Sequence, residues 1–434
     1  AFEYAQAGDI KPMFSIEVCE NVQVCSSPVI ADLDKTYPGL ETIIGTWDGS
    51  DRFNPKGKMY VIHQDGTIAK GWPVEMQTQI GSSPAVGDID NDGDLEIVVG
   101  SRKKRAGLYA WHHDGTSLIG WPYLTNVNIN GDFQEYGTNW VACSPTLVDI
   151  DKDGDLEIIF ASTRSMVYIL HHDDKDGDGK PDNFEGWPIN LNTDWIDSSP
   201  AVADIDGDGD LEIVIADWNG NVSVFNINGE QEYGWPKEVG GDFYSSAAIA
   251  DIDPNYAGLE IVISSKNGSD DGTAKIYVWH CDGTLVSGWP VSFRENETVL
   301  SSPVVGDINN DGQLEIVIAS QAGFIYAYGT NGNKLWSYET NREINSSAAL
   351  GDVDGDGDVE IVFGVMSSLD GEMVSEKGYL CILNHDGTVN DKWNITDNGG
   401  DGIYSSPALG DIDQDKVLEI IFGSLGGEIW DFKE

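Results

Sequence analysis

One phrase returns eight times along this chain, and no other feature limits its fold so tightly. The clearest copy runs from Ser82 to Gly100: Ser-Ser-Pro-Ala-Val-Gly-Asp-Ile-Asp-Asn-Asp-Gly-Asp-Leu-Glu-Ile-Val-Val-Gly. Its first aspartate recurs at Asp32, Asp88, Asp149, Asp204, Asp251, Asp307, Asp352 and Asp411. Successive copies stand 45 to 61 residues apart, a period that suits propeller blades rather than helical solenoids. A chain of 434 residues would ordinarily divide into two or three domains. Stacked repeats escape that limit because each buries its apolar face on its neighbours, so residues 1–434 read as one domain.

Each unit reads as four antiparallel strands. Ser-Ser-Pro-Ala-Val is a short strand that ends at an acidic loop. Leu-Glu-Ile-Val-Val is a second, apolar on successive positions as a strand buried on both faces should be. A third, such as Gly107–His112, ends in an Asp-Gly turn, as at Asp65-Gly66, Asp114-Gly115, Asp282-Gly283 and Asp386-Gly387, which favours a tight hairpin. The fourth begins near Gly-Trp-Pro, with Trp72, Trp121, Trp187, Trp235 and Trp289, and Trp336 and Trp393 take the same place later. Their regular recurrence marks these tryptophans as blade packing. No helical periodicity appears. The last unit stops after its third strand, Gly427–Phe432, while Pro12–Val18 offers a spare strand ahead of the first Ser-Ser-Pro. Lent to the last unit, that strand would close the ring and cover the exposed edges. The expected fold is all-β: an eight-bladed β-propeller of four-stranded antiparallel blades.

The net charge of −50 could arise from halophilic solubility, disorder, or carboxylates gathered to hold cations, and the placement of the acids decides. Asp88, Asp90, Asp92, Asp94 and Glu96 occupy positions 1, 3, 5, 7 and 9 of a loop with Gly93 at the sharp turn. A chain curling round a hard cation delivers alternate residues inward, and the position 9 carboxylate can close the shell with two oxygens. Close carboxylate pairs repel by roughly 1 to 4 kcal/mol each, and no lysine or arginine recurs nearby to relieve this. A cation is therefore expected, and calcium suits such a loop better than magnesium, which keeps its waters. Position 12 is Val99 and the flanks are strands, so this is not an EF-hand.

The loops differ. Asp149/Asp151/Asp153/Asp155/Glu157, Asp204/Asp206/Asp208/Asp210/Glu212 and Asp352/Asp354/Asp356/Asp358/Glu360 match fully. Asp307/Asn309/Asp311/Glu315 carries fewer charges and should bind more weakly, and Asp411/Asp413/Asp415/Glu419 has Lys416 in place of glycine. The loops at Asp32 and Asp251 are one residue longer, lack the third aspartate, and read as metal-free turns. A further loop, Asp174/Asp176/Asp178/Asp182, lies in the outer hairpin of the third unit. About six or seven calcium ions are expected in all. These loops hold about half of the acidic residues, so the charge is local and metal-directed.

Hydrophobic residues at 40% and aromatics at 10% argue against disorder. Nothing resembles a basic footprint at domain scale, which argues against nucleic acid. Apolar runs are strand-length, so no transmembrane segment is expected. The start at Ala1, with no signal peptide, reads as a mature or trimmed chain. Cys19, Cys25, Cys143, Cys281 and Cys381 show no metal spacing, and either a Cys19–Cys25 pair or buried free thiols fits them.

If the acidic loops share one face, the other collects an unusual set. It holds the run Arg102-Lys103-Lys104-Arg105 with Trp47, Arg52, Trp140, Trp195, Asp217, Trp218, Tyr244, Lys266 and Tyr404. Aromatic platforms suit sugar rings and the basic run could meet uronate carboxylates. The plainer reading makes the run a solvated loop tip and the tryptophans blade caps. His63, His112, His113, His171, His172, His280 and His385 lie just before hairpin turns and are expected at the periphery. With no nucleophile elbow or zinc motif, no catalytic residue stands out. A lyase would need a base such as Lys266 or Tyr244.

The Asp-x-Asp-x-Asp-Gly loops and the apolar strands after them resemble the FG-GAP/VCBS repeat propellers, the group that includes the integrin α-chain head. That resemblance implies calcium on one face of the disc and a main-chain carbonyl ligand at position 7, hence at Asp94, Asp155, Asp210 and Asp358. The hairpins and the Tyr37-Pro-Gly-Leu-Glu41 and Tyr256-Ala-Gly-Leu-Glu260 variants are also similar to the eight-bladed catalytic domains of secreted rhamnogalacturonan lyases, though the chain is shorter than those enzymes. The expected protein is a secreted or cell-surface calcium-binding propeller, a non-catalytic module that binds glycan or extracellular protein or serves a structural role. Triplets at Asn221, Asn267, Asn296 and Asn394 would accept glycans. The alternative is a calcium-dependent polysaccharide lyase.

Overall fold

Every residue of the strands Glu157–Ser162, Glu212–Ala216 and Glu315–Ser320 is buried, as a strand flanked by two neighbouring blades requires. The computed structural model describes residues 11–18, 22–48, 56–103, 105–125, 139–267, 272–370, 373–395 and 402–433. Each blade is a meander. Blade 2 runs outward through Ala85–Gly87, Glu96–Arg102, Gly107–His112 and Tyr123–Leu124, all antiparallel. Eight such sheets are present, and Ile, Val and aromatic side chains between them build the core.

The second serine of each Ser-Ser phrase holds the ring at its centre. Its N–H donates to the hydroxyl of its counterpart in the next blade: Ser27 to Ser83, then Ser144, Ser199, Ser246, Ser302, Ser347, Ser406 and back to Ser27, at 2.9–3.1 Å. The residue before it ties the first strand to the second. Ser198 accepts from Ala216 N–H at 3.1 Å and donates to its carbonyl at 2.7 Å. Cys143 takes that place in blade 3 with its thiol. It is a buried free cysteine, as is Cys381; Cys25 and Cys281 are free and half-buried, whereas Cys19 lies outside the described residues.

The ring closes as the termini predict. Lys11–Glu17 pairs antiparallel with Glu428–Lys433 as the outermost strand of blade 8, with Ser15 opposite Trp430. Phe14 packs beneath Gly66 of blade 1, where an added Cβ would meet its ring at 3.2 Å. The Gly-Trp-Pro tryptophans are packing residues. The indole N–H of Trp72, Trp121, Trp187, Trp235, Trp289 and Trp336 each donates to a backbone carbonyl of the following blade, at 2.8–3.2 Å. Short pairs absent from the repeat pattern, Val22–Gln23 on blade 1 and Gln79–Ile80 on blade 2, lengthen the second strands at the end opposite the acidic loops.

Candidate metal loops and the opposing aromatic funnel

In the acidic loops, alternate carboxylates turn inward and accept the backbone N–H groups of the bend. Asp88 accepts from Asp92 and Gly93 at 3.0 Å, and Asp92 accepts from Asp94 at 2.9 Å. The Asp204 loop repeats this from Gly207 and Gly209, and the Asp352 loop from Gly355 and Gly357. The Asp149 and Asp307 loops curl likewise. At Gly93 φ is +92°, and no atom stands near a would-be Cβ, so the backbone conformation is what calls for glycine there. Ligand atoms of Asp88/Asp90/Asp92, Asp149/Asp151/Glu157, Asp204/Asp206/Glu212 and Asp174/Asp176/Asp182 lie within 4.8 Å of one another. These are oxygen clusters of the kind a hard cation takes.

The middle positions of the loops offer less open oxygen than the alternating pattern suggests. At position 5, Asp153 accepts from the Asp155 N–H at 3.0 Å and Asp208 from Asp210 at 2.9 Å. Asp311 accepts from the Gln313 N–H and Asp356 from Asp358, both at 2.8 Å. At position 3, Asn309 accepts from the Asp311 N–H at 2.9 Å and Asp354 from Asp356 at 3.2 Å. Each thus commits one oxygen to the bend itself, which closes the turn and leaves the other oxygen of each position 5 carboxylate for an ion. Asn309 has no second oxygen to give. Two residues, Asp354 and Asp178, also meet a side-chain donor besides the backbone of the bend. The second oxygen of Asp354 accepts the Asn390 amide at 2.8 Å. Asp178 accepts the Lys180 N–H at 3.2 Å, and its other oxygen lies 3.0 Å from the Lys180 ammonium.

The glutamate at position 9 behaves differently from a two-oxygen clamp. Glu96 is fully buried, and its Oε2 accepts the Ile89 N–H at 3.1 Å, which fastens the loop to the second strand. Glu157, Glu212, Glu315 and Glu360 repeat that bond, so only Oε1 faces the loop interior without a backbone donor. Burial pushes the carboxyls of Glu96, Glu157, Glu212 and Glu360 up to about 7. At position 7 the side chains turn outwards to lysine or histidine partners. Asp94 lies 3.5 Å from Lys35, Asp155 3.9 Å from His172, Asp210 3.2 Å from Lys152 and Asp358 3.4 Å from His385.

Two of the histidines, His63 and His280, are buried rather than peripheral, and here the structure departs from the sequence expectation. The glutamate opens the second strand, so the antiparallel register sets it opposite the residue that ends the third, as Glu96 faces His112. His63, His112, His171 and His280 place Nδ1 at 2.9–3.3 Å from Oε1 of Glu41, Glu96, Glu157 and Glu260. In blades 1 and 5 a tyrosine completes the arrangement. Tyr37 stacks on His63 at 3.8 Å and Tyr256 on His280 at 3.7 Å, and their hydroxyls donate to Asp65 and Asp282. Glu41 and Glu260 also accept two backbone N–H groups each, so both carboxylates are complete without an ion. In blade 8 a side chain from the third strand enters the loop: Lys433 Nζ stands 2.7 Å from oxygens of Asp413, Asp415 and Glu419.

At the opposite end the blades surround a cavity of about 740 Å³ lined by Trp47, Arg102, Lys103, Trp140, Asp197, Tyr244 and Tyr404, among others. An aromatic arc runs beside it through successive blades: Trp140 and Tyr244 line the cavity, and Trp195 and Trp218, which do not, bridge them. Trp140 meets Trp195 edge-on at 5.8 Å, Trp195 stacks on Trp218 at 5.3 Å, and Trp218 meets Tyr244 at 4.7 Å. Cations cap both ends: Lys103 lies 5.8 Å from the Trp140 ring and Lys266 4.3 Å from the Tyr244 ring. Asp197, missed in the sequence, accepts the Trp195 indole N–H at 3.1 Å; burial raises its carboxyl, and Arg102 opposes that. Asp217 does not face the cavity. It is buried and accepts from the N–H of Asn219 and Asn221 and the Asn221 amide, so it holds the turn that carries Trp218. Arg105 is exposed on its loop and does not line the cavity, and Arg52 lies outside the described residues. All five described arginines, Arg102, Arg105, Arg164, Arg294 and Arg342, belong to loops or strand ends on this side.

Residues 88–160, 149–215, 258–318 and 352–422 match the FG-GAP-like repeat, and these segments take in more than half of the chain. The chain belongs to that repeat family. No curated protein matches it. Among solved structures it is similar to Sqt1 of Chaetomium thermophilum, described bound to the N-terminus of ribosomal protein L10. The TM-score is 0.61 at 14% identity, covering 98% of this chain and 100% of that one. It is also similar to BamB of Moraxella catarrhalis, with a TM-score of 0.59 at 13% identity, covering 98% of each chain. At such identities the likeness is one of fold.

Proposed function

We propose that this protein is a calcium-holding propeller, secreted or at the cell surface, that binds an acidic saccharide in the aromatic funnel without catalysis. Calcium is the cation the loops of blades 2, 3, 4, 6 and 7 and the Asp174 loop suit, since they offer carboxylate and carbonyl oxygens on flexible bends. Its part is structural: it offsets the repulsion among the carboxylates and fixes the face that anchors the blades. Loops of this kind fill at the calcium levels found outside cells.

The observation that carries the binding role is the Trp140–Trp195–Trp218–Tyr244 arc with Lys103 and Lys266 at its ends. Stacked rings offer apolar faces to sugar C–H groups, and ammonium and guanidinium groups offer partners to uronate carboxylates. A carboxylate-bearing ligand would avoid the acidic face and find this one. Burial pushes the Tyr244 hydroxyl up to about 12, which sets it poorly as the base a lyase would need, and the Lys266 ammonium over its ring is read as a carboxylate partner instead. Calorimetric titration with neutral and uronate-containing oligosaccharides tests the proposal. Binding that weakens with salt and prefers uronates is expected, and no heat with any glycan defeats it. Absorbance from unsaturated products would show a lyase instead.

A further inference from the structure

The blade 8 loop departs from the others at three places, and the departures fit together. Position 6 is Lys416, which takes φ +81° where the other metal-suited loops carry glycine, and still donates its N–H to Asp411 at 2.9 Å. Position 7 is Val417 rather than an aspartate, so the loop holds one acid fewer than the full matches. The residue opposite Glu419, one past the Ile420–Phe432 pair, is Lys433. Its ammonium lies 2.9 and 2.7 Å from the two oxygens of Asp413, and 2.7 Å from Asp415 Oδ2 and Glu419 Oε1. The Lys433 side chain is only 15% exposed. In blades 4 and 7 the corresponding residues are the uncharged Asn226 and Asn384, one past the Ile213–Phe225 and Ile361–Leu383 pairs.

We propose that Lys433 is a tethered counter-ion that takes the place of a divalent cation in the blade 8 loop, leaving the ring-closing blade independent of metal. Calcium sits roughly 2.3–2.6 Å from each oxygen ligand, so it would need nearly the point the ammonium holds. Two cations cannot share that point, and a covalently attached one is present at all calcium concentrations. The lysine belongs to the strand that pairs with Lys11–Glu17, so the closure of the ring would persist when calcium is withdrawn. The expected set of calcium ligands therefore loses Asp411, Asp413, Asp415 and Glu419.

This inference rests on calcium filling the other loops, and the test separates the two. Calcium bound per chain is counted by native mass spectrometry for the intact protein and for Asp88→Asn, Asp413→Asn and the double variant Lys433→Asn/Lys416→Gly. Asp88→Asn should lose one ion and Asp413→Asn none, while the double variant should gain one. Loss of an ion in Asp413→Asn, or no gain in a folded double variant, overturns the proposal. If the double variant does not fold, Asp413→Asn decides alone. An unchanged count in Asp88→Asn would fault the metal reading of blade 2 instead, and the double variant would still report on blade 8.

Discussion

Glu96 and its counterparts carry a proton economy that calcium should control. Their carboxyls sit near 7 because burial disfavours the charge, against 4.5 in an unfolded chain. A group whose pKa is raised on folding contributes stability below its unfolded value, and that contribution is lost as pH rises through the folded value. Metal-free protein should therefore melt at lower temperature as pH climbs from about 5 to 8. With calcium bound the carboxylates are held ionised and that decline should disappear. Melting curves across this range, with chelator and with calcium, check both halves; a chelated protein that gains stability with rising pH would refute the account of these glutamates. Asp431 is a second case. It is buried, neither oxygen has a hydrogen-bond partner among the described residues, and burial, then Glu419, pushes its carboxyl up to about 7. The equivalent residues are Val224 in blade 4 and Val278 in blade 5, opposite Val214 and Val262 as Asp431 is opposite Ile421. Asp431→Val should stabilise the protein by about 1–3 kcal/mol in urea titrations, the cost of a buried unsatisfied group.

Strand count, blade count and closure were legible because the Ser-Ser-Pro phrase, the Asp-Gly turns and the Gly-Trp-Pro segments each recur with one role. What stayed hidden depends on register and on neighbouring blades. No spacing within the loop points to His112 or Lys433, since each meets its glutamate only when the second and third strands pair. Once that pairing is assumed the signal is available: the residue ending the third strand faces the residue opening the second. Alternation marked Asp354 and Asp178, but it says nothing of Asn390 or of how Lys180 folds back to bring each of them a further side-chain partner. Val22–Gln23 and Gln79–Ile80 are too short for any periodicity to mark them. The funnel residues were found singly, but their order as an arc comes from sitting in consecutive blades. Asp217 looked like a ligand contact by position, yet its neighbours Asn219 and Asn221 form the tight turn that takes its oxygens inward. Trp218 is the middle of the arc, so Trp218→Ala should weaken saccharide binding roughly tenfold, the scale of one aromatic contact. Unchanged affinity in a folded variant would place the ligand elsewhere.

Along the ring axis the described arginines and the acidic loops stand apart, although lysines such as Lys35, Lys152 and Lys433 sit among the acids. The acidic loops and all seven histidines lie at one end, and the five described arginines lie at the other. Such a distribution steers an anionic ligand towards the funnel and cations towards the loops. It also sets a demand, because a chain of net charge −50 strains against its own repulsion unless much of that charge is neutralised. Ions bound only by the folded state add stability by mass action, so chelation should lower the melting temperature substantially. The most direct test is the calcium bound by protein at dialysis equilibrium with millimolar calcium, measured as the excess over the dialysate. The account predicts about six bound calcium ions per chain, from five blade loops and the Asp174 hairpin. Protein that binds none while keeping its fold would contradict it.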